Sequence, residues 1–169
     1  MILFSQLEGY DMKSEMGDDM GKLKDLVIDT TNWKVTNLVV SGLLKKKKEE
    51  LLIRPSDIKI DWGEEKVILS PAARTEAITQ DKSSLKNMYL SDLLKKHAYS
   101  SDKEKFGKVY DVEIATELKD WEVWKLLIKV GFKKRRLRIK PDKISKLDED
   151  VSIKMTKKEV EALSHPTLG

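Results

Sequence analysis

The feature that most constrains this chain is that it repeats itself. Displaced by 86 positions, Ser5, Leu7, Gly21, Lys22, Asp25, Ile28 and Thr30 fall on Ser91, Leu93, Gly107, Lys108, Asp111, Ile114 and Thr116 without a gap. Two residues are then gained, so that Trp33, Val35 and Leu38 meet Trp121, Val123 and Leu126 at a displacement of 88. The gain is reversed in the following loop, and Lys47, Lys48, Leu51, Ile53, Pro55 and Ile58 meet Lys133, Lys134, Leu137, Ile139, Pro141 and Ile144. Glycines, prolines and tryptophans coincide as well as leucines do, which chance does not produce. Two copies are too few for a solenoid, whose units bury their faces only by stacking in a longer series. The pattern therefore predicts tandem domains over residues 1–71 and 87–155, a linker over 72–86 and a tail over 156–169.

Each copy has the period of strands. Residues 23–28 and 33–40 are rich in β-formers, and Gly63-Glu64-Glu65 sits between two short apolar runs as a hairpin signal. Five or six short strands in so small a unit, with no long amphipathic helix, predict an all-β fold. Such a unit manages its edges best by closing into a small barrel. In the linker, Ala72-Ala73-Arg74-Thr75-Glu76-Ala77 predicts a short helix, and 81–84 reads as a turn. In the tail, Thr156 and Glu159 have capping-box spacing before Val160 and Leu163, which predicts a short C-terminal helix ended by Pro166.

Strand alternation sorts residues 33–40 into two faces. Thr36, Leu38 and Val40 share one with Trp124, Leu126 and Ile128; Trp33, Val35 and Val39 share the other with Trp121, Val123 and Leu127. Lys125 belongs to the second set, and a buried lysine is costly, so that set is assigned outward. Trp33, Val35, Val39, Trp121, Val123 and Leu127 then form a contact face, between the barrels or for a partner. The alternative is that a bulge or strand end returns them to the core.

Composition narrows the chemistry. The chain has no Cys and only two His, which excludes disulfides, thiolate metal sites, cysteine nucleophiles and multi-histidine centres. The recurring Asp25 and Asp111 sit beside glycine turns in separate copies and read as structural acceptors of backbone N–H groups rather than as a catalytic pair. His97 and His165 have no partner at ligand or triad spacing, and no glycine-rich phosphate loop is present. The expectation is no enzyme activity, no catalytic residue, no metal and no cofactor. The longest nearly apolar stretch, 38–44, is too short to cross a bilayer, and 1–4 is too short for a signal-peptide core, so a cytoplasmic protein without direct membrane insertion is expected. Charge is uneven: residues 1–86 carry 14 basic and 15 acidic side chains, the remainder 19 and 14. Lys45, Lys46, Lys47 and Lys48 occupy the same loop as Lys133, Lys134, Arg135 and Arg136, with Arg138 beyond. Glu49 and Glu50 balance the first run and nothing balances the second, which makes these cations candidates for an anionic partner.

Residues 4–12 and 20–29 resemble the PRC-barrel family, whose hallmark is a short Ser-x-Leu-x-Gly strand, a turn, and Gly-x-Val-x-Asp followed by apolar residues. Residues 33–40 and 53–58 continue the likeness, and the second copy keeps it at 90–93, 106–111 and 139–141. It departs at Lys95, where the first copy has Gly9. The resemblance implies two tandem small PRC-type β-barrels used as interaction modules. Within the family the chain is similar to the soluble archaeal CdpB-type proteins of FtsZ-based cell division, and the implied function is a non-enzymatic protein–protein adaptor. The implied partners are SepF, FtsZ or another PRC-barrel protein, with a homodimer as a further form, and the implied location is the cytoplasm with recruitment to the division site. The alternative is a RimM-like factor of RNA processing or ribosome assembly that uses the basic hairpins; nucleic acid is the less favoured partner.

Overall fold

A computed structural model describes residues 1–44, 47–73, 76–77, 87–131 and 135–166, with backbone alone at 43, 44, 47–49, 76 and 77. The protein is mostly β, as the two-residue periodicity predicts. The first half contains β1 (Ile2–Leu3), α1 (Phe4–Leu7), β2 (Asp11–Ser14), β3 (Asp19–Asp29), β4 (Lys34–Leu44), β5 (Lys47–Ile53), β6 (Ile58–Asp61), β7 (Lys66–Leu69) and β8 (Glu76–Ala77). The second contains β9 (Met88–Tyr89), α2 (Leu90–Leu93), β10 (His97–Tyr99), β11 (Lys105–Ala115), β12 (Glu122–Val130), β13 (Arg135–Ile139), β14 (Ile144–Leu147), β15 (Val151–Ile153), α3 (Lys157–Leu163) and β16 (His165–Pro166).

Both halves share one strand order. β6-β7-β2-β3-β4-β5 in the first corresponds to β14-β15-β10-β11-β12-β13 in the second, and each has one parallel pair, β2 with β7 and β10 with β15. Pro55 and Pro141 each open a 3-10 turn between the fifth and sixth strands of a half, where their fixed φ and missing N–H suit a first helical position. Among the described residues no hydrogen bonds join β5 to β6 or β13 to β14, so the sheet does not close into a barrel.

The halves exchange their first elements. β1 pairs with β11, and β9 pairs with β3. β4 and β12 also meet at Lys34 opposite Glu122. One core of buried side chains runs through both halves, from Leu26, Leu38 and Ile53 to Leu126, Ile139 and Val160.

Two elements differ from the sequence expectation. In the linker, Pro71 and Ala72 lie in a turn and Glu76–Ala77 is a strand against Leu51 and Leu52, not a helix; Arg74, Thr75 and the turn at 81–84 lie outside the described residues. Short alanine-rich sequence is a weak helix former by itself, and the edge of β5 offers it a backbone partner. In the tail, the capping box forms as expected: Thr156 Oγ1 accepts from Glu159 N–H and Glu159 Oε1 accepts from Thr156 N–H. The helix stops at Leu163, and His165–Pro166 pairs with β13.

Candidate interaction site

The junction between the halves is built from two matched clasps. Asp25 Oδ1 accepts from the backbone N–H of Leu26 and, at 3.0 Å, of Ser91, while Oδ2 accepts from the Ser91 hydroxyl. Asp111 does the same for Val112 and, at 3.2 Å, Ser5. Both carboxylates are buried, at 4% and 3% exposure, so every bond they accept replaces lost water. Each clasp ties the first turn of α1 or α2 onto the opposite half.

Beside the clasps, the strands β4 and β12 touch end to end. Val35 N–H donates to the Trp121 carbonyl at 2.9 Å and Val123 N–H to the Trp33 carbonyl at 2.8 Å. Lys34 Nζ lies 3.6 Å from Asp120. The structure thus brings Trp33, Val35, Trp121 and Val123 together at this seam. Val35, Trp121 and Val123 are buried and Trp33 is half-buried against the same core, which corrects their outward assignment.

The reason is a bulge on each strand. Val35 and Asn37 face Ile28 and Val27, leaving Thr36 as the extra residue; Val123 and Lys125 face Ile114 and Glu113, leaving Trp124 extra. One extra residue reverses the alternation beyond it. Trp124, expected inside, is consequently 37% exposed, with Lys140 Nζ 5.4 Å from its ring centre. Val39 and Leu127 do not join the seam. Val39 is buried with Val27 under Tyr89, and Leu127 is buried at the matching place in the second half. There Glu113 and Arg138 form an ion pair where the first half has Val27 and Leu52.

Close to the seam runs an open groove of about 650 Å³, lined by Met1, Ile2, Ile58, Ile60, Trp62 and Trp121, with Lys59, Thr116 and Glu117 completing it. Trp62 sits in the β6–β7 turn, is 49% exposed and makes an edge contact with Tyr10 at 6.4 Å. The hairpin signal Gly63-Glu64-Glu65 marks the turn that follows Trp62; that this turn lies beside the other half depends on the strand exchange.

The described arginines of the second basic run have separate partners. Lys45, Lys46, Lys133 and Lys134 lie outside the described residues, as do the side chains of Lys47 and Lys48. Arg135 Nη2 donates to the Ser164 carbonyl and so anchors the tail. Arg138 pairs with Glu113. Arg136 stands over the Tyr110 ring, 5.1 Å from its centre. Burial pushes the Tyr110 phenol above its ordinary pKa, an effect that the positive charge of Arg136 opposes.

The buried carboxylates Asp25, Asp111 and Glu113 are each engaged by a hydroxyl, backbone N–H or guanidinium. Among the described residues no group of three or more His, Asp or Glu side chains is placed to hold a metal ion, and no helix is long and apolar enough to cross a membrane. No protein-family model matches the chain, and no curated protein matches it in sequence.

Proposed function

We propose that the chain is a non-enzymatic protein–protein adaptor made of two duplicated PRC-type units, and that a protein partner docks in the groove beside the seam. The observation that carries this reading is Trp62, a large aromatic left half exposed on the rim of an apolar groove. Interfaces concentrate their binding energy in such aromatic anchors. The shared strand order of the two halves and the internal sequence repeat support the duplication. The engagement of each buried carboxylate by structural partners supports a binding role over acid–base chemistry.

The PRC-barrel resemblance directs the first test to archaeal cell division, with SepF and FtsZ as the partners and the division site as the location. Immobilised protein is expected to retain purified SepF or FtsZ, and Trp62→Ala is expected to weaken that binding by ~30-fold, the effect of removing a central aromatic anchor. Retention of neither protein rejects the division role. Retention unaffected by Trp62→Ala rejects the groove. A second copy of the chain as occupant would appear as a dimer in sedimentation that Trp62→Ala dissociates.

A further inference from the structure

Residues placed directly opposite one another on neighbouring strands share a sheet face. Across the second half, one such row reads His97 on β10, Lys108 on β11, Lys129 on β12, Arg136 on β13 and His165 on β16. Both histidines of the chain therefore stand at the ends of a row of three cations. Lys108, Lys129, Arg136 and His165 are exposed and His97 is half-buried. Among the described residues, no carboxylate pairs with Lys108, Lys129 or Arg136.

The matching row of the first half has a different composition. It reads Asp11, Lys22, Ser41 and Glu50, with Lys22 Nζ 3.7 Å from Asp11. The first row mixes acids with its one lysine, and the second contains no acid. Like charges directly opposite on adjacent strands destabilise a sheet, so the second row is a cost to folding that an anion would relieve. The cations are also held in place. Lys129 Nζ lies 5.4 Å and the Arg136 guanidinium 5.1 Å from the centre of the same Tyr110 ring. Cations held over an aromatic face lose less freedom when they bind.

We propose that this face binds the phosphodiester backbone of a single-stranded nucleic acid laid along the row. Neighbouring strands are about 4.8 Å apart, so the row extends for about 19 Å, a length suited to a linear chain of phosphates. An acidic peptide is the poorer fit. Peptides join sheets mainly by adding to an edge, and the edge of β13 at Arg135 and Arg136 is already taken by β16. Leu127, in the neighbouring row, is 6% exposed and offers no pocket for a side chain. A lipid surface would call for an exposed apolar wedge on this face, and these five strands present none along the row. With Tyr110 occupied by the two cations, base stacking contributes little, so binding is independent of base sequence.

The test uses the full chain and a labelled oligouridylate of ~20 nucleotides, with binding followed by fluorescence anisotropy over a salt series. About 0.7 counterion is released per single-strand phosphate neutralised, so log affinity is expected to fall with log salt at a slope of about −2. Lys108→Ser, Lys129→Ser and Arg136→Ser together are expected to flatten the slope by about 2 and to weaken binding at low salt by at least ~10-fold. Lys22→Ser, in the matching row, is expected to leave both unchanged. Lys129→Glu alone is the check should the triple variant melt early. Absence of binding at low salt, equal loss on Lys22→Ser, or displacement of the RNA by an equal charge of polyglutamate or phosphatidylserine vesicles would overturn the proposal.

Discussion

Replacing Asp111 by Ala would leave the buried N–H of Val112 and the partly buried N–H and hydroxyl of Ser5 without the acceptor they all share. Stranding buried donors costs about 1–3 kcal/mol. Asp111→Ala is therefore expected to lose ~2 kcal/mol or more in urea unfolding, and Asp25→Ala the same by the matching geometry. A loss within about 0.5 kcal/mol, typical of surface positions, would show that the clasps are incidental. The sequence placed Asp25 and Asp111 correctly as acceptors of backbone N–H bonds. It was silent on which serine each one meets. Ser5 and Asp25 stand at the same separation as Ser91 and Asp111, so a clasp within a copy and a clasp between copies leave the same trace in the chain. Only the path of the backbone between them decides it, and that is a property of the whole sheet.

The longer strands were legible in the alternation, and the α3 cap in the Thr156–Glu159 spacing, because both are local. The face that each residue presents was not, because the bulges at Thr36 and Trp124 are set by how β4 and β12 pair with their neighbours. The same holds for the cationic row. Lys108 and Lys129 look unremarkable in the chain and become neighbours of Arg136 only once the β11–β12–β13 register is known. That register depends on Gly107. A Cβ there would lie 2.0 Å from the Lys129 carbonyl oxygen, and at the matching Gly21 it would lie 2.2 Å from that of Ser41. No side-chain rotation relieves a clash with backbone, so Gly107→Ala must part β11 from β12. It is expected to cost about 1–3 kcal/mol, the usual range for overpacking, and to slow oligouridylate binding or abolish it. Full stability in thermal melts would show that the strands can move apart freely.

For the molecule as a whole, the halves are distinct in sequence and inseparable in packing. The apolar core is continuous, and each half borrows a strand and a helical turn from the other. Urea unfolding of the intact chain is therefore expected to show a single transition, with fluorescence and circular dichroism coincident. Residues 1–86 and 87–169 made separately are expected to remain largely unfolded and to regain the native spectrum when mixed. Two resolved transitions, or either fragment folded alone, would reject this coupling. The repeat in the sequence suggests two bodies on a string; what it cannot carry is the exchange, since the short segments Ile2–Leu3 and Met88–Tyr89 have no pattern that names their strand partners.

This exchange also orders events during synthesis. β3 is made early, but the residues that complete its edge and satisfy Asp25, namely Met88, Tyr89 and Ser91, are added only after the rest of the first half. With translation proceeding at ~5–20 residues per second and domains otherwise folding as they emerge, the N-terminal half must leave the ribosome with an open strand edge and wait for its partner. A nascent chain of this kind has reason to keep that strand charged where it meets water, as the exposed Lys22 and Lys24 of β3 do.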